Sequence, residues 1–438
     1  MLSGRAHLMA HRSSSRCTPI LLCNAGYYGT LSAVRSLGRA GIPVVTVDPT
    51  RAAPARFSRY AGSHLRCPPF ENTDEWAGWL LELGSSGPKR AIYATSDAVS
   101  FALARHREAL APFFHLYQPG LATIMSILDK GLLMEHARAV GMDTPETWLP
   151  RSSEEAEQIG REVGGPLLMK PRSQLATKFY SKGELIKPGR DNVRAAFDRF
   201  HHRGSSNADF SRLHPEAMMP LLQRYYPEAQ NALYSLSGFR DRTGTHFVGL
   251  GARKLLQRPR RLGVGLCFEA TEIPAGLADA TRRLCDRIGY YGVFEVEFII
   301  SGGKTMVIDF NGRLYNQLAF DIARGAQLAG MAYAGAIGCE DDVSSLVAAT
   351  PEPNSTLDMA FCNGFGLRIT LAAQRAFGTM SQDEARFWRF WRQDRRRQMV
   401  DPLSDADDPM PAAVDAAHQI IRISTHPFAF VLQVGLAS

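Results

Sequence analysis

Runs of apolar residues broken by short polar turns mark out most elements of this chain. Residues 18 to 23 (Thr-Pro-Ile-Leu-Leu-Cys) have the pattern of a buried strand. Asn24-Ala-Gly26-Tyr-Tyr-Gly29 follows, then a helical stretch to Ala40. After Gly41-Ile-Pro a second apolar run, Val44 to Val47, ends at Asp48. This is a β-α-β unit with a glycine-bearing loop after its first strand. It recurs more weakly where Ala91 to Thr95 reads as a strand and Ser96-Asp97 opens a helix. Parallel strands alternating with helices predict an open α/β sheet, whose ligands lie at the carboxyl ends of the strands. Asn24, Gly26, Asp48 and Asp97 all fall there. Asn24-x-Gly26-x-x-Gly29 lacks the first glycine of the dinucleotide fingerprint, so a tight strand-to-helix turn explains it better than nicotinamide binding.

The pattern changes from about Leu121. Asp129-Lys130 begins a helical stretch to Val140, which Gly141 ends. Thr144 to Thr147 is an extended connector. Leu167 to Pro171 is a strand that ends in Lys170, and residues 172 to 183 are polar and basic. The run from Leu221 to Tyr226 ends on polar atoms. Strands then read from Ala232 to Gly238, His246 to Gly251 and Leu266 to Ala270. A helix from Ala275 to Ile288 precedes two last strands, Val293 to Ile300 and Thr305 to Phe310. Strands in long succession with inserted helices predict an α+β middle portion. From Cys339 onward the chain reads as a mainly helical tail region.

Composition narrows the function classes. A chain of 438 residues with 45% hydrophobic residues can bury the cores of two or three domains. No stretch approaches the roughly 20 apolar residues that cross a bilayer. The seven cysteines are scattered and form no C-x-x-C pair, which fits a reducing cytoplasm and neither a disulfide framework nor structural zinc. Residues 1 to 17 are basic and serine-containing and read as a disordered leader. The net charge of +7 is concentrated around Arg386, Arg389, Arg392, Arg395, Arg396 and Arg397, beside Trp388 and Trp391. That spacing predicts an amphipathic helix with a solvated basic face. No nucleic-acid signature accompanies it. A basic enzyme also draws in anionic substrates.

The chemistry lies in Glu297 and Asp309-Phe310-Asn311-Gly312-Arg313. Alternate strand residues share a face, so Asp309, Asn311 and Arg313 point one way and Phe310 points into the core. A three-residue loop, Gly302-Gly303-Lys304, would pair Glu297 with Asp309. A two-residue loop would pair Glu297 with Ile308 and turn Asp309 away. Two opposed carboxylates repel unless a cation lies between them, and oxygen-only ligands favour Mg²⁺. An ordinary surface hairpin, with Arg313 neutralising Asp309, is the competing reading. Lys130 and Lys170 favour a phosphate site, because a transferring triphosphate needs cations besides metal.

In this pattern the chain resembles the ATP-grasp superfamily, and within it the stand-alone carboxylate–amine ligases related to D-aspartate ligase. Five features, in order, carry the resemblance: Asp129-Lys130, Met169-Lys170-Pro171, Gln223-Arg224-Tyr225 with Glu228, Arg253-Lys254 with Pro259 and Gly263, and Glu297 with Asp309-x-Asn311-x-Arg313. It implies a pre-grasp α/β domain (18–118), a two-lobed ATP-grasp domain (119–338) and a helical C-terminal region (339–438). It implies ATP held by Lys130, Lys170, Gln223, Arg224, Tyr225 and Glu228. Mg²⁺, with Mn²⁺ as an alternative, would sit on Glu297, Asp309 and Asn311. Arg313, Arg253 and Lys254 would act on the reacting groups, and residues 172 to 183 would cover the phosphates. The implied reaction is ADP-forming: a carboxylate becomes an acylphosphate and an amine displaces phosphate. The implied partners are small carboxylates and amines, in a cytoplasmic, dimeric enzyme with no nucleic-acid or membrane partner. Bicarbonate-dependent carboxylation and a decayed nucleotide-binding protein are the alternatives. The family's Glu-x-Asn-Pro-Arg stands here as Asp309-x-Asn311-Gly312-Arg313, and loss of the proline should loosen the backbone before Arg313.

Overall fold

A computed structural model describes residues 17–177, 183–187, 189–202, 204–227, 232–258, 263–395 and 398–426. Residues 1–16 of the expected leader, positions 178–182 of the expected phosphate cover, Glu228 and Pro259 lie outside the described residues.

The first sheet is parallel throughout. Its strands are β1 (Ile20–Cys23), β2 (Val44–Asp48), β3 (Ala61–Arg66), β4 (Arg90–Tyr93) and β5 (Phe114–Leu116), in the order β3-β2-β1-β4-β5. Apolar side chains on both faces of β1 are covered, as a central parallel strand requires. The sequence did not reveal β3 because it is an edge strand of Ala-Gly-Ser-His-Leu-Arg, with no apolar run. Strand order reverses between β1 and β4, so the loops after these strands open at the point where such sheets hold ligands. In the loop after β1, Asn24 is left-handed at φ 54°. Gly26 N–H and Thr50 N–H both donate to Asp48, at 3.3 and 2.9 Å. Asp48 therefore braces its own loop.

A second, antiparallel sheet holds β6 (Thr147–Trp148), β7 (Leu167–Lys170), β8 (Glu184–Ile186) and β9 (Leu221–Arg224), in the order β6-β9-β7-β8. Leu167, Met169 and Leu222 pack under the helices Ser153–Val163 and Val193–His201. Strand alternation sends Leu168, Lys170 and Gln223 to the other face.

The third sheet holds β10 (Leu233–Arg240), β11 (Phe247–Arg258), β12 (Val264–Ala270), β13 (Gly292–Ser301), β14 (Lys304–Asn311), β15 (Ala360–Cys362) and β16 (Met399–Val400). Its order is β14-β13-β10-β11-β12-β15-β16, antiparallel except between the last two. One face of β10, β13 and β14, carrying Leu236, Val296, Phe298 and Phe310, shares a core with Leu284, Cys285 and Ile288 of the helix Leu277–Ile288. Strand β11 runs past its expected end at Gly251 to Arg258, placing Arg253 and Lys254 on opposite faces.

The C-terminal region is mainly helical, but it also supplies β15 and β16 to this sheet. Arg35, buried in the first sheet's helix Tyr28–Arg39, clamps it by bonding Asp408 and the carbonyls of Pro402 and Leu403. In the helix Gln382–Asp394, Trp388 and Trp391 face inward and Arg386, Arg389 and Arg392 face outward, the amphipathic arrangement expected. Among the described residues no helix is long and apolar enough to cross a membrane.

Candidate active site

The hairpin β13–β14 decides where the acids lie. Its loop has two residues, Gly302 and Gly303, both left-handed at φ 56° and 75°, so the expected three-residue loop is incorrect. Ser301 pairs with Lys304, and the ladder runs regularly to Phe298 opposite Val307. Continued unchanged, it would set Glu297 against Ile308. Ile308 instead bulges from β14, and Glu297 pairs with Asp309, Val296 with Phe310 and Glu295 with Asn311. The bulge restores what the shorter loop would have lost. Phe310 is buried beside Tyr290, with ring centroids 4.9 Å apart.

Each opposed carboxylate has a lysine. Lys254 Nζ donates to Glu297 at 2.9 Å, and Lys130 Nζ donates to Asp309 at 2.6 Å. Lys130 opens the helix Lys130–Ala139, whose start is fixed by Asp129 accepting from Gly131 N–H at 2.8 Å and from Arg172 at 2.6 Å. Among the described residues no group of three or more His, Cys, Asp or Glu side chains is arranged to hold a metal ion. The acid pair offers hard oxygen donors and no nitrogen or sulfur, with two nearby ammonium groups marking how much positive charge the pair accepts. That chemistry fits a divalent cation that completes its shell with water and substrate oxygens.

Glu295 was not singled out from the sequence. It is 4% exposed and accepts from Asn311 Nδ2 at 3.1 Å, from Ser235 Oγ at 2.9 Å and from Gln317. Burial, then the neighbouring Glu297, pushes its carboxyl above the ordinary range. Asn311 turns its oxygen to Arg313 Nη2 at 2.9 Å. Arg313 also donates through Nε to Asp97 at 2.6 Å, linking the third sheet to the end of β4. The Glu-Val-Glu alternation carried the signal for Glu295; Gln317 left none.

Gly312 is not a loosened proline site. A side-chain carbon there would come within 2.7 Å of the Tyr290 ring and collide with Ile127. Close packing excludes proline and holds the backbone before Arg313.

On the second sheet, Lys170 Nζ donates to Gln223 Oε1 at 2.9 Å, and Gln223 donates on to Thr147 at 3.1 Å. Tyr226 packs on Leu233, Ile299, Met306 and Ile308, beside the acid pair. Two expected residues are directed elsewhere, and a third has its backbone donor taken. The Arg224 side chain bonds the half-exposed Glu146 at 2.7 Å, and Tyr225 N–H is taken by the Pro166 carbonyl at 3.1 Å. Arg253 lies on the face of β11 away from Lys254, more than half exposed and paired with Glu269 at 2.8 Å. The structure does not bring Arg253 to the site, because strand alternation separates it from its neighbour.

A cavity of about 430 Å³ opens beside these groups. Lys130, Asp309, Asn311 and Arg313 line one side; Asn24, Ser96 and Asp97, from the loops at the strand-order reversal, line another.

No protein-family model matches the sequence, and no curated protein matches it. Solved structures do. The biotin carboxylase domain of 2-oxoglutarate carboxylase from Hydrogenobacter thermophilus, solved with MgADP, ADP and bicarbonate, is 16% identical with a TM-score of 0.57, over 74% of this chain and 70% of that one. N5-carboxyaminoimidazole ribonucleotide synthetase from Thermotoga maritima is 15% identical with a TM-score of 0.52, over 73% and 76%. An L-amino acid ligase from Bacillus licheniformis is 10% identical with a TM-score of 0.54, over 74% and 75%. These structural neighbours are ATP-grasp enzymes, and the fold of this chain is theirs.

Proposed function

We propose that this chain is an ADP-forming ligase that activates a carboxylic acid with ATP and joins it to an amine. The observation that carries this reading is the opposed pair Glu297–Asp309, each acid with its own lysine, beside a cavity that holds Arg313.

ATP enters as a substrate. Lys170, Gln223 and the second sheet would hold it against Lys130 and Lys254. A bound Mg²⁺, on Glu297, Asp309 and the Asn311 oxygen, would neutralise phosphate charge. In the first step an acid oxygen bonds to the γ-phosphorus, the bond to the β-phosphate bridge breaks, and ADP leaves. In the second step the amine nitrogen bonds to the acyl carbon, the carbon–oxygen bond to phosphate breaks, and the nitrogen sheds its proton. Lys130 and Lys254 would take phosphate charge, and the Arg313 Nη2 hydrogen not given to Asn311 would steady the acyl oxygen. The acylphosphate must be kept from water.

The cavity of about 430 Å³ has room for organic substrates beside Asp309 and Arg313. The amino acid ligase among the neighbours makes amino acids the first substrates to try. The seven scattered cysteines, with no C-x-x-C pair, support a cytoplasmic setting, and the dimer named for the 2-oxoglutarate carboxylase domain supports a homodimer. An ADP-release screen of amino acids offered in pairs tests the reading. ADP that appears only when both an acid and an amine are present is expected. ADP release that needs neither, or that needs bicarbonate, would refute it.

A further inference from the structure

Five charged side chains line the cavity: Lys130, Arg313, Glu71, Asp97 and Asp309. Acids outnumber bases by one. The guanidinium of Arg313 is largely spent on the protein. Its Nε donates to Asp97 Oδ1 at 2.6 Å and its Nη2 to Asn311 at 2.9 Å, while its Nη1 reaches the Leu314 carbonyl at 3.2 Å and the Tyr27 hydroxyl at 3.4 Å. Asp97 is less committed. Its Oδ1 accepts from Arg313, and its Oδ2 accepts no hydrogen bond from any described residue. The side chain keeps 23% of its exposure in the cavity wall.

A carboxylate oxygen in the cavity wall that takes no hydrogen bond from a described residue is open to a ligand that donates to it. Arg313 Nε, 2.6 Å away, takes only Oδ1, and the strongest partner for the remaining carboxylate oxygen is a cationic donor. Exposed Glu71, in the same wall, adds to that preference. Asp97 sits where the first residue of the helix Asp97–Arg105 must sit, with Ser96 capping the helix by accepting from Val99 N–H at 3.3 Å. Its backbone is therefore fixed, and the carboxylate is presented by a rigid element.

We infer that Asp97 binds the ammonium group of the amine substrate, so that the enzyme takes amines protonated at neutral pH, such as the α-ammonium of an amino acid. This rests on the ligase reading. Asp97 would hold the ammonium on the Arg313 side of the cavity, near the acyl group; one proton would pass from the nitrogen to the Asp97 carboxylate or to water before attack, and a second would leave as the amide forms. An uncharged amine would gain nothing from Asp97.

Two nucleophiles separate this role from support of Arg313. Methylamine is protonated at neutral pH; hydroxylamine is not, and it traps acylphosphates as hydroxamates. With the acid found by the ADP-release screen, the ratio of methylamide to hydroxamate formation should fall about tenfold or more in Asp97→Asn. Asp97→Glu, which restores the charge, should recover most of that ratio. Equal loss with both nucleophiles would overturn the inference, since Asp97 would then act only through Arg313. If Asp97→Asn does not fold, the unaltered protein still decides. The tert-butylammonium ion should inhibit hydroxamate formation about tenfold more strongly than its neutral analogue tert-butanol, and equal inhibition overturns the inference. No ADP release by the unaltered protein with any acid would remove the ligase reading itself, and this inference with it.

Discussion

Glu297 and Asp309 face each other across β13 and β14 because Ile308 is one residue more than a regular ladder would hold. The pair is therefore a product of a bulge, a feature that re-aims side chains near functional sites. Asp309→Asn leaves the bulge intact and removes one anion. Mg²⁺-dependent ADP binding, measured by calorimetry, should weaken by more than about 100-fold, beyond the usual loss for a residue that only supports a ligand. Unchanged binding would show that the cation lies elsewhere.

Lys254 is 3% exposed and its partner Glu297 13% by side chain. Removing one member of a buried pair leaves an uncompensated charge. Lys254→Met should cost about 3 kcal/mol of stability in urea unfolding without divalent cation. Millimolar Mg²⁺ should restore more stability to the variant than to the unaltered protein, because a cation bound only by the folded state stabilises it. Equal gains in both proteins would count against a cation at Glu297.

Gly312 tests the packing at the turn into Arg313. Gly312→Ala sets a methyl group 2.7 Å from the Tyr290 ring and into Ile127. Overpacking of this kind costs about 1–3 kcal/mol, and thermal unfolding should report a lowered Tm. Gly312→Pro, which restores the family's usual residue, should be at least as damaging. A stabilised proline variant would contradict the packing argument.

Two acids should give opposite slopes of stability against pH. Burial and Glu297 raise the Glu295 carboxyl, so the folded protein keeps that proton to higher pH than the unfolded chain does. Stability from this group is thus greatest at low pH and falls as pH rises from the ordinary glutamate range through the folded value. Burial works against ionisation of Asp408 as well, but Arg35, Ser58 and Arg59 N–H outweigh it and lower the carboxyl. Its contribution is present above the ordinary aspartate range and lost as pH falls. Urea unfolding from acid to neutral pH should show Glu295→Gln flattening the first slope and Asp408→Asn the second. A slope unchanged by its variant would discount that acid.

The legible parts were those written in local patterns. The apolar runs Ile20 to Cys23 and Val44 to Val47 identified parallel strands because both of their faces are buried. Glu297 and Asp309 were found as acids in alternating strands, and Lys130 as the first residue of a capped helix. Strand β3 was missed because an edge strand tolerates polar residues without penalty. Arg253 was carried with Lys254 by the resemblance, and β11, running to Arg258 instead of the expected Gly251, turns the two to opposite faces.

The sequence by itself determined which residue types are present and which faces they share: two acids, an amide and an arginine on alternate strand positions, lysines at element ends, and a sheet that opens at its carboxyl edge. Tertiary structure alone decided the register and the partners. The Ile308 bulge, the close approach of Gly312 to Tyr290, the burial of Glu295 under Gln317 and the meeting of Arg313 with Asp97 all join segments far apart in the chain. Periodicity sets which way a side chain points; which distant group it meets depends on how the sheets pack, and no local pattern encodes that.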